Sequence, residues 1–419
     1  SMTAAWGRSP RAALVAVVLI CIAIRVAVVF WMPRDYGLLP RDPDMYGHLA
    51  SRIAAGQTYS LPGRETQTAM RPPLYPIVLA PLWAAGLGGT PAPLLLYAVI
   101  DSLTCLALYA LARRLGGSLV AALLAALCWA LYLPQAAMET RLWTEPLAAL
   151  LATSALWALT TAARGGGLRR FILGGALVGL GSLAHSTLLF VGLAAAIAAS
   201  VTSTDRMKTR LGRLVTTLLA CAFVMTPWAV RNAVALDAFV PTTTHGGQTV
   251  WEGNCGLADE DFLRNIHIPE ARERFDRILS ERKGVAFGEL SEVERDRAFR
   301  AETLRIIREH PGRYALLSLN RFARLWFNLG FKGEPPSGMS IALSVLHGAL
   351  LALFIAGLAG RRRRRLRPFA PALTMVIVST ILYMATIAYA RYAFPMVPAV
   401  LAMTAAAWMG GEGMDGIHR

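Results

Sequence analysis

Of the chain's 419 residues, 55% are apolar and only 16% charged, against about 25% charged in ordinary soluble domains, so a purely soluble architecture is excluded. The net charge of +16 does not point to nucleic acid, because no reader motif accompanies it and the arginines cluster in short connections. The apolar excess is gathered in stretches of about 20 residues, the length that crosses a hydrocarbon core.

These stretches run approximately over 12–31, 93–112, 117–133, 141–163, 168–184, 186–201, 211–230, 339–359, 369–387 and 391–409. They predict an all-α polytopic membrane protein with about ten transmembrane helices. The first is too long for a cleaved signal and has no small-residue cleavage site, so it reads as a signal anchor. Basic clusters at Arg8 and Arg11, Arg113–Arg114, Arg164 to Arg170, Arg206 to Arg213 and Arg361 to Arg367 mark the cytoplasmic connections. With those fixed inside, only one crossing fits between residues 72 and 113. Segment 73–89, which carries Pro73, Pro76 and Pro81, is therefore assigned to the outer interface. Segment 312–331 has Arg321 and Arg324 at helical spacing and reads as a surface-lying helix.

Three regions follow. Residues 1–230 form a transmembrane catalytic module with an outer loop at 32–72. Residues 231–338 form an extracytoplasmic loop with interfacial helices, and 339–419 a second transmembrane module. Four cysteines lie in apolar spans and Cys255 alone in a loop, which gives neither a disulfide framework nor a metal-type spacing.

Polar residues gather on the outer side, where ionisable groups at membrane depth default to function. In the first loop, Arg41-Asp42-Pro43-Asp44-Met45-Tyr46 opens a short helix predicted from about 43 to 55. Asp42 caps that helix, and a capping carboxylate stays ionised and aimed, as a general base requires. Asp44 reads as a first-turn dipole residue. Downstream, Arg64 and Arg71 either meet lipid headgroups or neutralise a phosphate leaving group. Glu139, Arg141 and Glu145 flank the next outer turn, where a mutual ion pair is the plain reading. His185 tops a helical hairpin, and Arg391-Tyr392 begins the last span. Arg25 lies within the first span and needs an internal partner. In the long loop, Arg231-Asn232, His245-Gly246-Gly247 and Trp251-Glu252-Gly253-Asn254 offer polar groups with an aromatic suited to carbohydrate contact, though a satisfied surface turn would read alike. Ser291 and Glu294 form a capping box for a helix to about 309. With 269–283, this helix builds a small outer cap.

Several ordered pieces then resemble a family. They are Asp42 with Tyr46, Leu49-Ala50 and Gly56; Arg71-Pro72-Pro73-Leu74-Tyr75-Pro76; and Trp143-Thr144-Glu145-Pro146-Leu147. Further along come Thr226-Pro227-Trp228 with Arg231-Asn232, Gly246-Gly247 with Gly253-Asn254, and Arg391-Tyr392 with Pro395. The set resembles the GT-C glycosyltransferases of the dolichyl-phosphate-mannose-protein mannosyltransferase and lipid A aminoarabinose transferase group. The resemblance implies sugar transfer from a polyprenyl-phosphate donor to a glycan, lipid or protein hydroxyl outside the cytoplasmic membrane. It also implies Asp42 as base, with Arg71 and Arg391 on the donor phosphate and His185 as a further contact. The hairpin tip Ala184-His185-Ser186 departs from the basic pair common in relatives.

No spacing demands a cofactor, although Asp42, Asp44 and Glu139 could gather round a divalent ion. Two other readings use the same features. One is a lipid transporter or flippase, which should show internal repeats that are not found here. The other is a polysaccharide ligase using a pyrophosphate-linked donor.

Overall fold

The computed structural model describes residues 10–31, 42–63, 66–203, 205–264, 266, 268–328, 338–360 and 366–410. Described residues are mostly helical, and the predicted spans appear as helices. Nine segments among them are long and apolar enough to cross a membrane: Pro10–Trp31, Ala92–Arg114, Leu119–Met138, Glu145–Ala163, Gly167–Ala184, Met207–Leu236, Ile341–Ala359, Arg367–Ala385 and Ala390–Trp408. The remaining predicted span is the apolar helix Thr187–Thr202. Its 16 residues reach only about 24 Å. The helix Leu74–Ala84 is shorter still at 11 residues, too short to cross, and contains Pro81.

In chain order the helices are α1 (Pro10–Trp31), α2 (Tyr46–Ala54), α3 (Leu74–Ala84), α4 (Ala92–Arg114), α5 (Leu119–Ala130), α6 (Leu133–Met138), α7 (Glu145–Ala163), α8 (Gly167–Ala184) and α9 (Thr187–Thr202). They continue as α10 (Met207–Leu236), α11 (Gly246–Asn254), α12 (Ile268–Lys283), α13 (Glu292–Glu309), α14 (Pro311–Phe327), α15 (Gly338–Ala359), α16 (Ala370–Ala385) and α17 (Val397–Trp408). Local chemistry sets their ends. Ser118 caps α5 by accepting from the Ala121 N–H at 3.1 Å, and Pro146 occupies the first turn of α7. The predicted capping box of α13 is present: Glu294 donates its N–H to Ser291 Oγ and its carboxylate accepts from the Ser291 N–H.

α7 is the most enclosed long helix, packed between α4, α8 and α9. α8 lies against α10 through glycines. A Cβ on Gly175 would meet the Thr217 carbonyl at 2.2 Å, and one on Gly179 the Cys221 carbonyl at 2.8 Å. Backbones this close gain dispersion contact without any need for a hydrophobic driving force in lipid. α14 is not among the helices long and apolar enough to cross, and its arginines are not on its outer face. Arg321 and Arg324 turn inward, where Arg321 donates to the carbonyls of Gly253 and Met384 and to Asn254 Oδ1, and Arg324 to the Leu263 carbonyl. Those carbonyls come from distant loops, which helical spacing alone cannot reveal.

Arg25 finds its partners inside the bundle. It pairs with Asp101 of α4 at 2.6 Å, approaches Glu139 at 3.5 Å, and donates to the Ala130 carbonyl at 2.6 Å. All three charged side chains are excluded from solvent.

Candidate active site

The polar cluster begins at α2. Pro43 and Asp44 form a turn closed by the Met45 N–H on the Asp42 carbonyl at 3.1 Å. Met45 adopts φ 64°, so the helix cannot begin until Tyr46, three residues after the predicted start. Asp42 consequently is not the N-cap residue. Its carboxylate reaches across the turn instead, and Oδ2 accepts from the His48 N–H at 3.1 Å. Gly47 allows this approach: a Cβ there would lie 3.0 Å from Oδ2, 2.9 Å from Trp83 and 3.0 Å from Leu142. Oδ1 is buried with no hydrogen-bond partner among the described residues. Burial pushes the Asp42 carboxyl above the ordinary aspartate range, with Asp44 adding to it, while the N–H groups of His48, Tyr46 and Gly47 pull it back.

Arg71 and Arg391 each meet a carboxylate. Arg71 donates from Nη2 to Asp44 Oδ1 at 2.6 Å and from Nε to the Asp44 carbonyl at 3.2 Å. Arg391 pairs through Nε with Glu145 Oε1 at 3.2 Å and stacks on Trp143, its Cζ 3.6 Å from the ring centroid. Tyr392 lies 5.2 Å from the same guanidinium, and its ring meets that of His185 edge-on at 6.3 Å. His185 also lines a cleft with Thr187, Ser379, Tyr383 and Tyr392. The Asp44 carboxylate acts electrostatically on Glu145, His185, Glu252, Arg391 and Tyr392, which makes it the hub of the cluster. Tyr46 is buried below, edge-on to Tyr75 at 5.3 Å.

Other predicted residues hold the site rather than line it. Arg231 donates to the Thr68 carbonyl at 2.7 Å and stacks on Trp228 and Tyr59, while Asn232 is buried and donates to the Val240 carbonyl. Trp251 is not available to a sugar. It is 1% exposed, stacks in the cap core with Phe275 and Phe299, and donates to the Ala271 carbonyl at 2.7 Å. Asn254 is likewise buried and spent on Arg321. The predicted pairing among Glu139, Arg141 and Glu145 does not form: Glu139 serves Arg25, Glu145 serves Arg391, and Arg141 is exposed. Arg64 lies outside the described residues. His245 stands at the start of α11, where burial and then the charge of Arg71 hold its imidazole well below the usual histidine range.

The sequence reading missed Glu252 and Gln248 as site residues. Gln248 donates to Glu252 Oε1 at 2.6 Å, and burial raises the Glu252 carboxyl above its ordinary value, with Arg71 and Asp44 in range. The i, i+4 spacing of these two on one helix face was the available signal. Glu292 was also missed. It accepts from Thr68 Oγ1 at 2.6 Å, from the Ala69 N–H at 2.8 Å and from Thr244 Oγ1. Its capping-box neighbours drew attention instead. Glu139 is committed to Arg25, so Asp42, Asp44 and Glu139, which could have gathered round a divalent ion, do not assemble, and no three such groups among the described residues do.

Residues 71–230 match the family model described as dolichyl-phosphate-mannose-protein mannosyltransferase. The fold is similar to that of the archaeal oligosaccharyltransferase AglB from Archaeoglobus fulgidus in complex with an inhibitory peptide and a dolichol-phosphate. That similarity has a TM-score of 0.55 at 16% identity, over 94% of this chain and 50% of that one. The Archaeoglobus fulgidus oligosaccharyltransferase tethered with an acceptor peptide gives 0.58 at 14% identity over 96% and 50%, and its apo form 0.57 at 17% over 94% and 50%. This chain spans about half the length of those proteins. No curated protein sequence matches it. The chain is a multi-pass helical membrane protein with the fold of the GT-C glycosyltransferases. Its residues 71–230 carry the pattern of the dolichyl-phosphate-mannose-protein mannosyltransferase family.

Proposed function

We propose that this protein is a membrane glycosyltransferase that moves a sugar from a polyprenyl-phosphate donor to an acceptor hydroxyl, with inversion. A glycan, lipid or protein supplies the hydroxyl. The observation that carries the reading is the aimed, partly buried Asp42 carboxylate with an unpartnered Oδ1, in one cluster with two guanidinium groups. The donor phosphate sits against Arg71 and Arg391, with His185 and Tyr392 beside it. The acceptor oxygen attacks the anomeric carbon, Asp42 takes its proton, and the bond to the phosphate oxygen breaks with its electron pair leaving on polyprenyl phosphate. The arginines stabilise that developing charge, which removes the need for a protein acid.

Helix direction supports an extracytoplasmic site in the cytoplasmic membrane. Glu145 opens α7 at the site, and the helix ends beside Arg164; α10 starts after Arg206 and ends near the loop that holds Thr68. The basic clusters thus lie at the helix ends away from Asp42.

Release of radiolabelled sugar from a panel of polyprenyl-monophosphate sugars tests the reading with purified protein in detergent. General-base assistance is worth about 10² to 10⁴-fold, so Asp42→Asn should lose that much turnover while still binding donor. Wild-type turnover in the variant removes Asp42 as the base. No turnover of any donor, with lipid scrambling in liposomes instead, would favour a transporter.

A further inference from the structure

We propose that Asp44 and a prenyl-linked phosphate compete for one seat on Arg71, and that Asp44 is displaced when the phosphate binds. The proposal rests on the glycosyltransferase reading and assigns to Asp44 a positioning role in that site.

The geometry is that of an internal substitute for a phosphate. Both donors on one edge of Arg71, Nε and Nη2, are turned to this one residue, at 3.2 Å to its carbonyl and 2.6 Å to its carboxylate. A guanidinium edge offers two parallel N–H groups to a phosphate in the same manner, so residue and phosphate compete for one set of donors. The pair is only partly buried, with 16% and 22% of the two side chains exposed, so a ligand can reach it. The main chain favours exchange as well. Asp44 lies in the turn just before Met45, whose left-handed backbone stores strain that a rearrangement of the turn can release.

Charge balance gives the exchange a consequence. Asp44 pairs with Arg71, Glu145 pairs with Arg391, and Glu252 lies in range of Arg71, so an incoming anion meets a carboxylate on each guanidinium unless one of them gives way. Asp44 is the one whose carboxylate acts on all the others. Freed from Arg71, it places an unneutralised negative charge beside Asp42 and strengthens Asp42 as a proton acceptor. Phosphate occupancy and the readiness of the base become linked through one side chain.

Binding of farnesyl phosphate to the full chain in nanodiscs provides the test, with wild type, Asp44→Asn, Asp44→Glu and Arg71→Ala compared. Thermal unfolding of each variant establishes that it is folded. Removing a partly exposed competing ion pair should tighten farnesyl phosphate about fivefold in Asp44→Asn. The same variant should turn over sugar more slowly, Asp44→Glu should return both values toward wild type, and Arg71→Ala added to Asp44→Asn should abolish the gain. Unchanged or weaker binding in a folded Asp44→Asn overturns the exchange while leaving the glycosyltransferase reading intact. Failure of wild type to bind any prenyl phosphate sinks both. If phosphatidylglycerol in the nanodisc erases the difference between wild type and variant, the seat belongs to a bilayer headgroup and the assignment falls.

Discussion

At the scale of single residues, Asp42 shows how a carboxylate placed before a helix, without being its N-cap residue, becomes chemically useful. Its Oδ2 is spent on the first turn of α2, its Oδ1 is unpartnered, and burial raises its pKa. The sign of that shift sets the pH dependence. A base acts only when deprotonated, so activity should fall as pH drops through a value above the ordinary aspartate pKa of about 4. A pH profile of kcat/KM for sugar release checks this. An acidic limb at or below the ordinary value would contradict the buried-base assignment. Ionising a carboxyl whose folded pKa is raised also works against folding. Its stability contribution is present at low pH and lost as pH rises through the folded value. Asp42→Asn should therefore be no less stable than wild type at neutral pH, which makes its predicted loss of turnover a statement about chemistry rather than folding.

At the scale of helices, packing in this protein depends on close backbone approach and buried charge rather than on amphipathic stripes. The α8–α10 contact is closed by Gly175 and Gly179, each facing a carbonyl. Gly175→Val would drive a branched side chain into the Thr217 carbonyl and should destabilise the protein by about 3 kcal/mol, read as a lower unfolding midpoint in detergent. A variant with an unchanged midpoint would show that α8 and α10 are not so tightly apposed. The Arg25–Asp101–Glu139 group fixes α1 against α4 and the end of α6 by the same logic of satisfied buried polarity. Its members are fully buried, so removing one partner leaves an uncompensated charge.

On the scale of the whole molecule, residues 68–71 are held by residues 173 to 224 positions away. Glu292 collects Thr68, Ala69 and Thr244, while Thr243 donates to the Met70 carbonyl at 2.6 Å and Thr244 donates its N–H to the Ala69 carbonyl at 3.1 Å. Arg71 follows directly, so the 237–328 segment aims a residue of the first loop. Glu292→Ala would strand three donors, at about 1–3 kcal/mol for each one left buried. It should weaken farnesyl phosphate binding about tenfold while the helical circular dichroism is retained. Binding equal to wild type would mean that Arg71 is positioned from its own loop alone.

Much of the architecture was legible because membrane spans advertise themselves locally: apolar length, arginine clusters and proline positions are all contiguous in sequence. The capping box of α13 and the short helix after Asp42 were legible for the same reason. Residue chemistry also brought Asp42, Asp44, Arg71, Glu145, His185 and Arg391 to notice. Partnership was not legible. That Arg25 would meet Asp101, Glu145 would meet Arg391 across most of the chain, and Trp251 would be entombed in the cap depends on which faces meet after packing. Hydrogen bonds and ion pairs act over a few ångströms in space, without regard to separation along the chain. The sequence by itself therefore determined most of the helices, their order and a part of the polar inventory of the site. Only the tertiary structure decided which of those polar groups face one another and which are buried as supports.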